Sequence, residues 1–146
     1  MNVIRNFFGI PPKHKKWYHQ YYIRQKTVSE NSLACVTILL NYFGRITHLQ
    51  HLAQRFPLYI KDNNLQALHE LCAKNHLHSE LFTCSANELG SKKLPCLLYW
   101  KSKRFVVLIA MEDEGFCILD PGNPRVGYSF DDFECYYCEE GLAITS

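Results

Sequence analysis

Apolar positions follow two different patterns along the chain, and the change falls near its middle. In the first half they recur at helical spacing. Leu33, Ala34, Cys35, Val36, Ile38, Leu39, Leu40, Tyr42 and Phe43 fill residues 32–44 nearly all round. A helix apolar on every side has no solvent face and is buried. Gly44 suits its C-terminal cap. Thr47 stands where it can cap a second helix, HLQHLAQRF, which Pro57 ends. Asn64 can cap a third, LQALHELCAKN, whose Leu65, Leu68, Leu71 and Cys72 share one face. Ser85 and Glu88 have capping-box spacing for a short turn.

The second half reads as strands. PCLLYW (95–100), RFVVLIAM (104–111) and GFCIL (115–119) are compact apolar runs, the second strongly β-branched. Residues 112–115 fit a hairpin loop, and Asp120-Pro121-Gly122-Asn123-Pro124 is turn chemistry. Residues 126–128 make a short strand, Ser129 caps a last helix through Glu134, and residues 142–144 close the sheet. Residues 21–25 read as extended. Helices first and an antiparallel sheet after is an α+β arrangement.

At 146 residues, 47% hydrophobic and 21% charged, the chain is one domain or one domain with a tail. That balance excludes a disordered chain, a collagen and a coiled coil. No run approaches the ~18 apolar residues of a membrane span, and the start lacks a secretory pattern. The unusual feature is seven cysteines with seven histidines. An odd cysteine count without a signal peptide reads as reduced cytosolic thiols. Net charge is +2, but Arg5, Lys13, Lys15, Lys16, Arg24 and Lys26 precede any acid. The segment 112–140 carries nine acids and one base, Arg125. A basic arm with Trp17, Tyr18, Tyr21 and Tyr22 could meet nucleic acid or an anionic membrane. The plainer expectation is that its aromatics pack on the domain. The acidic end repels phosphates, so nucleic acid is not expected as a partner.

Cysteine and histidine together also raise a metal site. Cys135 and Cys138 form the one C-x-x-C, placed in the last helix. A structural zinc site needs four ligands, and there is no second pair and no histidine after His78. His48/His51 and His76/His78 read as surface or capping residues. No metal and no cofactor is expected.

A thiol enzyme is the other possibility. Its nucleophile works best at a helix N-terminus, with a histidine base and an oxyanion donor. The buried helix is the place to look, and QKTVSENSLAC (25–35) leads into it. This segment resembles the start of the bacteriocin-processing cysteine peptidases, papain-like domains at the cytosolic N-terminus of peptide-exporting ABC transporters. They cut leader peptides after a double-glycine motif. The resemblance matches Gln25 to the oxyanion glutamine, Glu30 to an acid and Ala34 to an alanine. Asn31 stands at the cysteine and Ser32 at the following glycine. LPCLLYW (94–100) resembles the strand before the catalytic histidine, and Arg104 replaces that histidine ahead of Phe105-Val106-Val107-Leu108. Sixteen residues on, Asp120-Pro121 matches an aspartate-proline, and residues 130–133 with Gly141-Leu142 resemble the closing segment.

The resemblance implies an α+β, papain-like fold over residues 21–146, after a basic and aromatic extension over 1–20. It also implies that no catalytic residues are expected. An amide is not a useful nucleophile, and guanidinium stays protonated. Gln25, Asn31, Arg104 and Asp120 then form a pseudo-active site: Arg104 pairs with Asp120 across neighbouring strands, and Asn31 caps the helix. Cys35, Cys96 and Cys117 read as packing. The expected function is a catalytically inactive domain that binds a peptide or unfolded export substrate. It would serve an ABC-type exporter, with the membrane domain in cis or in trans. The expected location is the cytosol, at the cytosolic face of the inner membrane. The alternatives are an active peptidase with a relocated thiol and a free-standing accessory interaction protein.

Overall fold

The computed structural model describes residues 17–60, 64–113 and 115–146. Most of the 1–20 extension and Glu114 of the hairpin loop lie outside the described residues. Helix α1 (Asn31–Tyr42) is the centre of the molecule, and every residue from 31 to 40 is buried. Its C-terminus closes as a Schellman motif. Gly44, at φ 85°, donates to the Asn41 carbonyl at 3.0 Å, and the Arg45 N–H donates to the Leu40 carbonyl at 2.8 Å.

Helix α2 (Leu49–Arg55) begins one residue later than Thr47 allows. His48 holds the cap position without a side-chain bond, and the Thr47 N–H donates to Asn41 Oδ1 at 2.8 Å. Helix α3 (Leu65–Lys74) starts as expected, with Asn64 Oδ1 accepting from the Ala67 N–H at 2.8 Å. Ser85 and Glu88 form their capping box ahead of a 3-10 turn, Ala86–Ser91.

The sheet has six antiparallel strands: β1 (His78–Thr83), β2 (Cys96–Trp100), β3 (Arg104–Glu112), β4 (Gly115–Leu119), β5 (Gly127–Ser129) and β6 (Tyr137–Thr145). Their order is β1-β6-β2-β3-β4-β5. Two features depart from the sequence pattern. β1 is unforeseen, since HSELFT carries only two apolar residues and Leu81 is 54% exposed. Pairing with β6 makes it a strand, not its own composition. β6 is longer than residues 142–144 and lies inside the sheet, between β1 and β2. Its early start also splits the C-x-x-C: Cys135 ends in helix α4 (Phe130–Tyr136), and Cys138 lies in β6.

The sheet is covered on both faces. Phe116 stacks on Phe133 of α4 with ring centroids 4.0 Å apart. The next residue, Cys117, points the other way and accepts from the Tyr18 hydroxyl at 3.2 Å. Tyr18 is buried, within the 3-10 turn Trp17–Tyr21. On the α4 side Trp100 lies against Tyr128, Phe133 and Tyr136. Ser129 caps α4, accepting from the Asp132 N–H at 3.2 Å. Helix α1 packs directly on β3, and its start lies at the beginning of that strand.

The interior position of β6 has a consequence at Gly141. A Cβ there would stand 2.5 Å from the Leu97 carbonyl oxygen and 2.7 Å from the Phe82 ring. Gly141→Ala should therefore lower stability by about 1–3 kcal/mol, because backbone cannot yield as a flexible side chain can. Urea unfolding reads this directly, and an unchanged midpoint would contradict it.

Candidate functional site

Three segments meet at one end of α1: the approach 25–30, the start of β3 and the turn after β4. The Gln25 N–H donates to the Pro121 carbonyl at 2.9 Å, tying the first segment to the third. Glu30 orders the approach, its Oε1 accepting from the N–H groups of Lys26 at 2.8 Å and Thr27 at 3.2 Å. Glu30, not Asn31, holds the cap position of α1. Asn31 is the first helical residue, so its side chain is free to bond elsewhere.

That side chain is 2% exposed and bonds to β3. Its Nδ2 donates to the Phe105 carbonyl at 3.0 Å, and its Oδ1 accepts from the Phe105 N–H at 2.7 Å. Both backbone groups of Phe105 thus go to one carboxamide. The pairing of β3 with β4 stops at Val107 and Leu119. Phe105 lies two residues beyond, and the Asn31 amide occupies the edge that β4 has left. Nδ2 also donates to Gln25 Oε1 at 3.1 Å.

Arg104 and Asp120 form the other half. Arg104 Nη2 stands 2.7 Å from Asp120 Oδ2, and the carboxylate is fully buried. The contact is single, not bidentate, because Asp120 Oδ1 accepts from the Gly122 N–H at 2.9 Å. Burial pushes the Asp120 carboxyl above the ordinary carboxylate range, while the Gly122 N–H and Arg104 pull it back. Burial, and then the Asp120 charge, push the Tyr22 hydroxyl up as well. The Tyr22 hydroxyl and Arg104 Nε are buried without a hydrogen-bond partner among the described residues. The Arg104 guanidinium lies over Gly122, and a Cβ on residue 122 would collide with it.

The structure thus brings together all four residues singled out by sequence: Gln25, Asn31, Arg104 and Asp120. Adjacent residues join the two halves, since Asn31 grips Phe105 and Asp120 grips Arg104. The sequence reading missed three contributors. The Phe105 backbone carries no side-chain signal. Tyr22 is legible as an aromatic of the basic arm and as part of an extended stretch, not as a neighbour of Asp120. Gly122 was legible as a turn residue, but its small size also makes room for Arg104.

Of the thiols, Cys35 touches this cluster, through the carbonyl that Asn31 holds. Cys35, one turn along α1, donates to the Phe105 carbonyl at 3.3 Å and is fully buried. Burial drives its pKa well above the ordinary thiol value. Burial also pushes Cys72 and Cys96 up to about 12. Cys135 is exposed, at the end of α4. Among the described residues no three His, Cys, Asp or Glu side chains gather as a metal site would require. His48, His51, His76 and His78 are all exposed.

Known proteins share this arrangement of helices and sheet. A double glycine motif protease from an AMS/PCAT transporter, solved in complex with the leader peptide, superposes with a TM-score of 0.75 at 18% identity. The match covers 84% of this chain and 89% of that one. The peptidase domain of Streptococcus ComA, a bi-functional ABC transporter, gives a TM-score of 0.73 at 11% identity, covering 84% of this chain and 96% of that one. In sequence, the chain is 26% identical over 122 residues to a probable microcin secretion/processing ATP-binding protein of Escherichia coli. That match covers 84% of this chain and 17% of the relative, so the chain spans under a fifth of the relative's length. The profile of the Peptidase C39 family matches residues 19–146, and the chain belongs to that family.

Proposed function

We propose that this domain keeps a peptidase fold but does not cleave, and binds a peptide or unfolded export substrate for an ABC-type exporter. One observation carries the reading. Asn31 and Arg104, which the family resemblance matches to nucleophile and base, are both committed to internal bonds. A carboxamide has no lone pair of useful nucleophilicity, and a guanidinium cannot accept a proton at working pH. Covalent catalysis needs both functions. The relatives supply the substrate class. One solved relative is described with a leader peptide bound, and the curated relative is named for secretion and processing. The exporter membrane domain is the partner, in cis or in trans, and the domain works on the cytosolic side. Among the described residues no helix is long and apolar enough to cross a membrane.

A relocated thiol is the competing reading, and burial argues against it. Catalytic cysteines react as thiolates and need access. Cys35 is fully buried, with its pKa pushed up. A free-standing accessory protein remains compatible with the same binding chemistry and differs only in its partner.

Two experiments separate these readings. Calorimetric titration with a synthetic double-glycine leader peptide, followed by mass spectrometry, should give saturable binding with the peptide intact. Fragments whose yield tracks a mutation in this chain would overturn the proposal, as would failure to bind any peptide encoded beside it. Iodoacetamide labelling of the native protein should modify Cys135 first and leave Cys35, Cys72 and Cys96 unlabelled until unfolding. Selective native labelling of one buried cysteine would instead favour the relocated thiol.

A further inference from the structure

At the other end of α1, about 18 Å from Asn31 at ~1.5 Å per helical residue, lies a concavity of about 290 Å³. Leu40 and Leu52 are apolar residues of its lining. Its charged and titratable lining is Arg45, His51, Arg55, Lys74 and His76, and no carboxylate lines it among the described residues. Arg55 and Lys74 lie in the last turns of α2 and α3, and Arg45 bonds the carbonyls that end α3, so helix ends share part of this charge, and no carboxylate among the described residues shares the rest. No ion pair reaches Arg45, Arg55 or Lys74 among the described residues.

Two helix ends build this arrangement. The Schellman motif of α1 delivers Arg45, whose Nη1 donates to the Asn75 carbonyl at 2.5 Å and Nη2 to the His76 carbonyl at 3.0 Å. Those bonds hold the guanidinium in place, with N–H donors left over. Helix α3 ends in a second Schellman motif, with the His76 N–H on the Ala73 carbonyl at 3.0 Å and the Leu77 N–H on the Cys72 carbonyl at 2.9 Å. The left-handed residue here is His76, at φ 60°, where glycine fits without strain. Arg55 stacks over Phe56 at 5.1 Å, which steadies the flat of its guanidinium and leaves its edge available.

We propose that this pocket binds a phosphate-class oxyanion through Arg45, Arg55 and Lys74, with His51 and His76 on the rim. The inference does not depend on the state of the Asn31 cluster. The ligand is either a free phosphate compound or a phospholipid headgroup, and both present the same charged oxygens.

The test uses the full chain with two probes at low ionic strength, where surface charge is least screened. The probes are inorganic pyrophosphate, by calorimetry, and vesicles of phosphatidylglycerol with phosphatidylcholine, by co-sedimentation. At least one should bind saturably, and pyrophosphate alone or vesicles alone identifies the source. Arg55→Glu with Lys74→Glu, both on exposed side chains, should weaken that binding at least tenfold. Lys92→Glu with Lys93→Glu, away from the pocket, should leave it within twofold. His76→Gly should raise the thermal midpoint and still weaken binding. Neither probe binding would overturn the proposal. So would binding that survives both the Arg55/Lys74 reversal and His76→Gly, or that falls equally with the Lys92/Lys93 reversal.

Discussion

The fold depends on one side chain that joins two chain segments far apart in sequence. The Asn31 carboxamide takes both the N–H and the carbonyl of Phe105, 74 residues away. β3 has lost β4 as a partner at that point, and a buried backbone with an unpaired donor and acceptor costs about 1–3 kcal/mol per group. The amide suits this role because it presents one donor and one acceptor side by side, as a neighbouring strand would. A thiol or hydroxyl could satisfy only part of the pair. The start of α1 is thereby fixed on the start of β3, and a helix with no solvent face stays where its burial requires.

The Arg104–Asp120 contact extends the same logic one residue along the strand. A fully buried carboxylate is expensive, and its raised pKa records the expense. Arg104, the Gly122 N–H and the tight turn offset part of it. The cost persists because the contact joins the start of β3 to the turn that carries Pro121, and Pro121 holds Gln25. Gln25, Asn31, Arg104 and Asp120 thus act as a clasp over three segments. Burial packs the core thiols Cys35, Cys72 and Cys96 away from water and raises their pKa.

Much of this was legible in the sequence, and the gaps have physical causes. The buried helix, the Asn64, Ser85 and Ser129 caps and the apolar strands β2, β3 and β4 follow from local pattern, because each has a local cause. β1 was not legible, since HSELFT becomes a strand only by pairing with β6. Nor was the full length of β6, whose YCEE start is too polar to read as interior. Thr47 is a reasonable cap by type, but the helix begins one residue later, at the cost of a side-chain cap. The four site residues were legible through family resemblance, but Asn31 was read as a helix cap, the usual job of an asparagine at a helix start. Its bond to Phe105 is a tertiary contact that no spacing rule encodes.

The account rests on Asn31 holding α1 to β3, and Asn31→Cys tests this most directly because a thiol cannot replace the paired donor and acceptor of the amide. Equilibrium urea unfolding of the variant against the parent should show a loss of about 1–3 kcal/mol, from the Phe105 N–H left without its acceptor and the lost Gln25 bond, while the Phe105 carbonyl keeps its Cys35 donor. A variant as stable as the parent would contradict the account, because the amide would then not be what fastens the helix to the strand.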